Sequence, residues 1–301
     1  MKSRKSILVT GSHHSGTSWV GSVLSLSNNI GYVLEPFNIV TGVCKSNFKY
    51  WYTYIDESNE DQFLPVLSDC LNFKYHFFSE LFSSKSFKDI LWTGAHQWDF
   101  LKKKFQKRTP LMKDPISLLS AGWLQQKFDM TVVICIRHPA AFAGSLKKKY
   151  TTHPFNHFLE QKNLMNNYLS DFKNEIESFA KKEQSLIDQA ALLWNIMHWH
   201  ILQLKEQNNH NFIFVKHEDL SRDPKSTFKD LYAKANLKYD VKVSEGIDKF
   251  ILKPGESESW TKRDSKKNIL NWKNRLTLEE IAMVKKKTAE ISQHFYSEED
   301  W

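Results

Sequence analysis

Cysteine, glycine and proline are all scarce in this chain, and each scarcity removes a class of protein. Three cysteines in 301 residues, Cys44, Cys70 and Cys135, are odd in number and widely spaced, which excludes a disulfide framework and a zinc pattern. Ten glycines and eight prolines leave no stretch rich enough in either to act as a linker, so one domain over residues 1–301 is expected. Long apolar runs are missing too. Behind the basic start Met1–Lys5 only Ile7, Leu8 and Val9 precede polar residues, too few for a signal peptide or a transmembrane segment. A reducing, cytoplasmic setting is the expectation.

Aromatic side chains and positive charge are plentiful. The chain has 21 Phe, 10 Trp and 10 Tyr, enough for a sizeable core. Hydrophobic residues at 41% and charged residues at 25% exclude a disordered protein. The net charge of +8, from 42 Lys and Arg against 34 Asp and Glu, favours an anionic ligand: a nucleotide, an acidic glycan, nucleic acid or a membrane surface. The Lys runs at 102–104, 147–149 and 285–287 are short and read as solvated helix faces.

Periodicity alternates along the chain. Ser6–Thr10, Gly31–Leu34, Leu111-Met112, Thr131–Ile136 and Asn211–Lys216 read as short buried strands, Cys135 lying inside one of them. Helical spacing follows from Thr17 (Trp19, Val20, Val23, Leu24), from Pro139 to about Lys148, across 183–206 and from Pro224 to Ala235. Residues 60–107 have helical character without clear phase. Strands alternating with helices predict an α/β fold: three α/β/α layers around a mainly parallel sheet, of the P-loop nucleoside-triphosphatase-like kind. Ligands of such a fold sit at the carboxyl ends of the strands.

Two segments at strand ends carry anion chemistry. Gly11-Ser12-His13-His14-Ser15-Gly16-Thr17-Ser18 has the spacing of a P-loop, with Thr17 and Ser18 where a nucleoside-triphosphatase has Lys and Ser or Thr. Backbone amides of Ser15 to Ser18 would converge at a helix N-terminus, where free donors and the dipole favour an anion. The lysine that grips β- and γ-phosphates is gone, so the loop suits a phosphate but not the splitting of ATP. Without a ligand it would be a Ser/Thr-rich helix cap. The second segment is Arg137, directly after the strongest strand, with Ser145 eight residues on. The guanidinium fork and the hydroxyl can face one anion, although an Arg at a strand end also pairs with carboxylates.

Taken together, Ile7–Val20 and Val132–Ser145 resemble the 5′-phosphosulfate loop and the 3′-phosphate motif of the PAPS-dependent sulfotransferases, PAPS being 3′-phosphoadenosine 5′-phosphosulfate. The matching cores are Ser15-Gly16-Thr17-Ser18-Trp19 and Arg137-His138-Pro139 with Ser145. Tyr32-Val33-Leu34-Glu35-Pro36 resembles the strand and Glu-Pro of the carbohydrate sulfotransferases. His217-Glu218-Asp219-Leu220 with Asp223-Pro224, and Trp272-Lys273 with Leu276-Thr277, are similar to the family's late junction and its tail. Residues 38–108 are not covered, and acceptor specificity would lie there.

The resemblance implies sulfuryl transfer from PAPS to an acceptor hydroxyl, on a carbohydrate or glycolipid, with adenosine 3′,5′-bisphosphate (PAP) as product and neither metal nor nucleic acid involved. It implies that Ser15, Gly16, Thr17 and Ser18 hold the phosphosulfate while Arg137 and Ser145 hold the 3′-phosphate. Many relatives carry Lys or Arg where this chain has His14, so His14 is expected to stabilise the bridging oxygen. Removing the acceptor proton needs a base, and Glu35 is the candidate; its other reading is a cap or a structural ion pair. Lys113 and Asp114 stand in reserve, and Lys262 and Arg263 are tail cations within possible reach of the 3′-phosphate. His153 with His157, separated by Pro154, and His198 with His200 read as packing rather than as metal ligands. The competing readings are a degenerate P-loop kinase and a basic polyanion-binding module.

Overall fold

The apolar runs become strands because both of their faces are covered. The structure is a computed structural model that describes residues 5–44, 47–82, 87–182, 184–251 and 265–301. Among these, β1 (Ile7–Gly11), β2 (Ile30–Leu34), β3 (Thr109–Lys113), β4 (Thr131–Ile136) and β5 (Phe212–Lys216) form one sheet in the order β2-β3-β1-β4-β5. Every pairing is parallel. Alternate residues enter two separate cores. Leu8, Val132, Ile134 and Ile136 join one, and Ile7, Val9, Val133 and Cys135 join the other. That two-sided burial is the reason these strands read as continuous apolar runs rather than alternating ones.

Helices supply both covering layers. On the smaller core lie α1 (Thr17–Leu24), which follows β1, and, later in the chain, α12 (Pro224–Lys234) and α13 (Val241–Asp248). The larger core takes α2 (Glu60–Leu71), α5 (Ala121–Phe128), α6 (Pro139–Lys149), α10 (Leu186–Glu206) and α15 (Leu278–Ser292). Helices α3 (Phe77–Phe82) and α4 (Phe87–Phe105) lie beyond α2 in the chain. Short helices α7 (Asn156–Leu159), α8 (Lys162–Asn167) and α9 (Lys173–Lys181) lead to α10, α11 (His217–Arg222) follows β5, and α14 (Ser265–Leu270) precedes α15. No helix of the described residues is long and apolar enough to cross a membrane.

Local signals fix several helix starts. Ser185 accepts a hydrogen bond from the Asp188 amide at the head of α10, and Thr277 with Glu280 forms a reciprocal capping box on α15, as those residue types favour. The helical character of 60–107 resolves, among the described residues, into three helices. Pro115 opens a 3-10 turn over Pro115–Ser120 before α5 begins. Lys147 is not simply solvated: it forms an ion pair with Glu280 that ties α6 to α15.

Candidate active site

The loop between β1 and α1 is bent by two glycines in backbone conformations that strain any other residue. Gly11 has φ +144, and a Cβ there would lie 2.3 Å from the Cys135 carbonyl oxygen on β4. Gly16 is left-handed at φ +95, and its Cβ would come within 2.6 Å of His217 Nδ1. Between them Ser15 folds back on the turn, its amide and its hydroxyl both donating to the Ser12 carbonyl at 3.1 and 2.5 Å. Gly16 then opens α1 with no capping side chain and no acidic residue in the first turn. The first-turn amides therefore point out of the helix without an internal acceptor, which is a cradle for an anion. Thr17 is buried within that turn and Ser18 is exposed on it. The buried Ser12 hydroxyl has no hydrogen-bond partner among the described residues, a second polar group aimed into the loop.

The two histidines of the loop behave differently. His13 is half-buried, and its Nδ1 sits in a short hydrogen bond with the Tyr52 hydroxyl. Burial, and then the nearby positive charge of Lys149, lower its pKa to about 4, so it is neutral. The Tyr52 hydroxyl is pushed upward by burial. This pair anchors the loop. His14 is the apex, in the left-handed region at φ 64, and its carbonyl accepts a short hydrogen bond from Arg137 Nη1. Neither the loop's spacing nor any motif points to Tyr52, because the contact spans 39 positions of chain.

Arg137 leaves β4 one residue past Ile136, and α6 starts at Pro139 with the His138 ring capping the Ala140 amide. The segment is held from behind. Trp194 Nε1 donates to the Arg137 carbonyl at 2.9 Å, and Glu218 accepts both the His138 amide and the Tyr296 hydroxyl at 3.0 Å. The His138 ring stacks on Trp272 at 5.3 Å, and burial lowers its pKa to about 3. Two turns along α6, Ser145 donates to the Ala141 carbonyl at 2.9 Å and accepts from Arg275 Nη1 at 3.4 Å. Arg275 arrives with the tail segment that packs on α6 at Gly144, where Trp272 and Arg275 lie at van der Waals distance. The expectation places Arg137 and Ser145 over one anion. The hydrogen bonds tie Arg137 to the glycine loop and bring Arg275 to Ser145. Lys262 and Arg263 lie outside the described residues.

Glu35 follows β2 with φ 43, a strained backbone of the kind that collects at functional positions. Its carboxylate makes a short ion pair with Lys113 at the end of β3 and accepts from Asn38 Nδ2 at 2.6 Å. Lys113 is almost wholly buried, only 3% of its side chain being exposed, and it packs against α1 at Gly21. Asp114 faces inward, accepting the amides of Phe37 at 2.7 Å and Ile116 at 2.9 Å. Burial raises its pKa to about 7, with a further push from Glu35. Because β1 lies between β3 and β4, the glycine loop stands between Lys113 and Arg137. Glu35 is one strand further out.

His153, His157 and His198 pack or hydrogen-bond within the fold. His157 Nδ1 accepts the Trp51 amide at 3.0 Å, His153 lies against Phe155 and Phe158, and His198 stacks on Trp194 at 3.8 Å. His217, at the head of α11, faces Gly16 and contacts Trp19 edge-on. It is a loop neighbour that the sequence suggests only through its place after β5.

No sequence-family profile matches the chain, and no curated protein matches it in sequence. Solved structures do match in shape. A sulfotransferase domain from the curacin biosynthetic pathway superposes with a TM-score of 0.55 over 98% of both chains, at 12% identity. The chain has the sulfotransferase fold. That fold also underlies a sulfotransferase domain from the Synechococcus PCC 7002 olefin synthase, with a TM-score of 0.49, 14% identity and coverage of 99% and 98%. A mouse sulfotransferase complexed with PAP gives 0.46 at 12% identity, covering 97% of this chain and 85% of its own.

Proposed function

We propose that this chain transfers a sulfuryl group from PAPS to an acceptor hydroxyl on a carbohydrate or glycolipid, releasing PAP. The observation that supports the reading most is the contact of Arg137 with the His14 carbonyl. It bonds the guanidinium at the end of β4 directly to the glycine loop that follows the neighbouring strand β1. Two anion cradles on neighbouring strands suit a nucleotide that carries charge at both its 5′ and 3′ positions.

In this reading the first-turn amides of α1, with Ser15, Gly16, Thr17 and Ser18, take the 5′-phosphosulfate. Arg137 and Ser145 take the 3′-phosphate, with Arg275 beside them. The donor supplies an activated sulfuryl group on a phosphate leaving group. Glu35 receives the acceptor's proton as the hydroxyl oxygen bonds to sulfur and the bridging S–O bond breaks. Lys113 and Asn38 hold that carboxylate in one orientation and leave lone pairs for the hydroxyl. His14, at the loop apex, donates a hydrogen bond to the charge that develops on the bridging oxygen. The choice of a sugar acceptor rests on the Tyr32–Pro36 resemblance.

Calorimetric titration with PAP, followed by a labelled-sulfate transfer screen over oligosaccharides, glycolipids and phenols, tests the proposal. Saturable PAP binding and label on a sugar are expected. Salt-dependent heparin binding with no affinity for PAP would assign the loop to a polyanion-binding module instead.

A further inference from the structure

Helix α4 turns an apolar face to solvent. Its inner side buries Thr93 and Phe100, and Phe100 packs against Phe73 and Tyr75. Lys103 reaches the Tyr32 carbonyl on the edge strand β2. At 3.6 residues per turn, Phe87, Leu91, Trp98 and Phe105 fall within about 40° of one another, on the side away from Phe100. They are 73%, 59%, 73% and 83% exposed. Phe78 and Phe82 on the neighbouring α3 are exposed as well. Single exposed apolar residues are ordinary; a seam of large ones at helical spacing marks a surface that something covers.

Charge selects the cover. From Phe87 to Arg108 the sequence has Lys88, Lys102, Lys103, Lys104, Lys107 and Arg108 against Asp89 and Asp99. Asp99 is already paired with Lys103, while Lys102 is exposed about 20° from Leu91 beside the seam, and Lys104 and Lys107 are exposed at the same end of the helix. A second copy of this face would set cations against cations. A bilayer with anionic headgroups complements both features, since aromatic rings settle at headgroup depth and lysines beside them meet phosphates.

We propose that α3 and α4 form an interfacial face that docks the protein on an anionic lipid bilayer. The inference does not depend on sulfuryl transfer. It places the bilayer on the β2 side of the sheet, the strand whose carboxyl end carries Glu35, which suits an acceptor held in a membrane.

Co-sedimentation tests it, using vesicles of phosphatidylcholine alone and of phosphatidylcholine with phosphatidylglycerol in equal parts, at low and high salt. Binding to the mixed vesicles at low salt is expected, weaker by more than about tenfold on the zwitterionic ones. Trp98→Glu with Phe105→Glu should cost more than about tenfold, and Lys102→Glu with Lys104→Glu about thirtyfold. Both pairs are at exposed positions, so an unchanged thermal midpoint serves as the folding control. Absence of binding to mixed vesicles, or binding indifferent to both double variants, overturns the proposal. So does a dimer in light scattering that the Trp98 and Phe105 changes dissociate, which would give the face to a second copy.

Discussion

At the scale of single residues, Glu35 and Arg137 answer separate questions. Glu35→Gln keeps the size of the side chain but removes the base, so transfer should fall by about 10²–10⁴ while PAP affinity stays within about threefold. It also leaves the buried Lys113 without its counter-ion, at about 3 kcal/mol of stability, so rates must be compared well below the melting temperature. Full-rate transfer by a protein that binds PAP normally would remove Glu35 from the mechanism. Arg137→Ala takes a charged donor from both the His14 carbonyl and the anion. PAP affinity should drop by about 10- to 100-fold in calorimetry, and Arg137→Lys should recover only part because the planar fork is lost. An unchanged dissociation constant would detach Arg137 from the nucleotide. The candidate positions were readable in sequence where they follow a strand: Arg137 and Glu35 stand where a run of apolar residues stops. Tyr52 and Arg275 were not readable. Each reaches the site across tens or hundreds of residues of chain, through packing that no local pattern encodes.

At the scale of elements, the strand–loop–helix unit at the start of the chain depends on Gly16. Gly16→Ala imposes about 1–2 kcal/mol of left-handed strain and drives a methyl into His217. A thermal midpoint lowered by several degrees is expected, together with at least a tenfold loss of PAP affinity as the first-turn amides shift. Adding His217→Ala removes the contact but not the backbone strain, so the double variant should regain part of the stability. No regain would mean that His217 does not press on the loop. The strands were legible because burial on both faces forces an uninterrupted apolar run, and α10 because Ser185 caps a long periodic stretch. Helix α11 was not anticipated: it is six residues, too short to show a period. Of α15 only the lysine face at 285–287 was read as helical, because its start is signalled by the Thr277–Glu280 box rather than by a broad apolar stripe. The tail was recognisable only by resemblance.

For the molecule as a whole, buried and half-buried histidines govern the response to acid. Burial lowers the pKa of His13 and His200 to about 4, of His138 and His198 to about 3, and of His153 well below 6.5. Below pH 6.5 the unfolded chain takes up protons at these positions that the native state refuses, so their contribution is present above that pH and is lost as pH falls. Asp114 runs the other way. With its folded pKa raised to about 7 from 3.8, it favours the native state at low pH and loses that advantage as pH rises through 7. Five groups outweigh one. Urea midpoints should fall steeply from pH 7 to pH 5, by the order of 5 kcal/mol, comparable with the whole stability of a domain. A flat profile across that range would show that the histidines are hydrated or rearranged in solution. The order of the sheet has its own effect on how the protein is made. Its first strand is the middle one, so β1 has nothing to lie between until Ile136 has been synthesised and β3 and β4 can close on either side. A nascent chain leaving the ribosome carries the glycine turn from its first moments, yet the turn gains a strand on each side only once nearly half the length has been made.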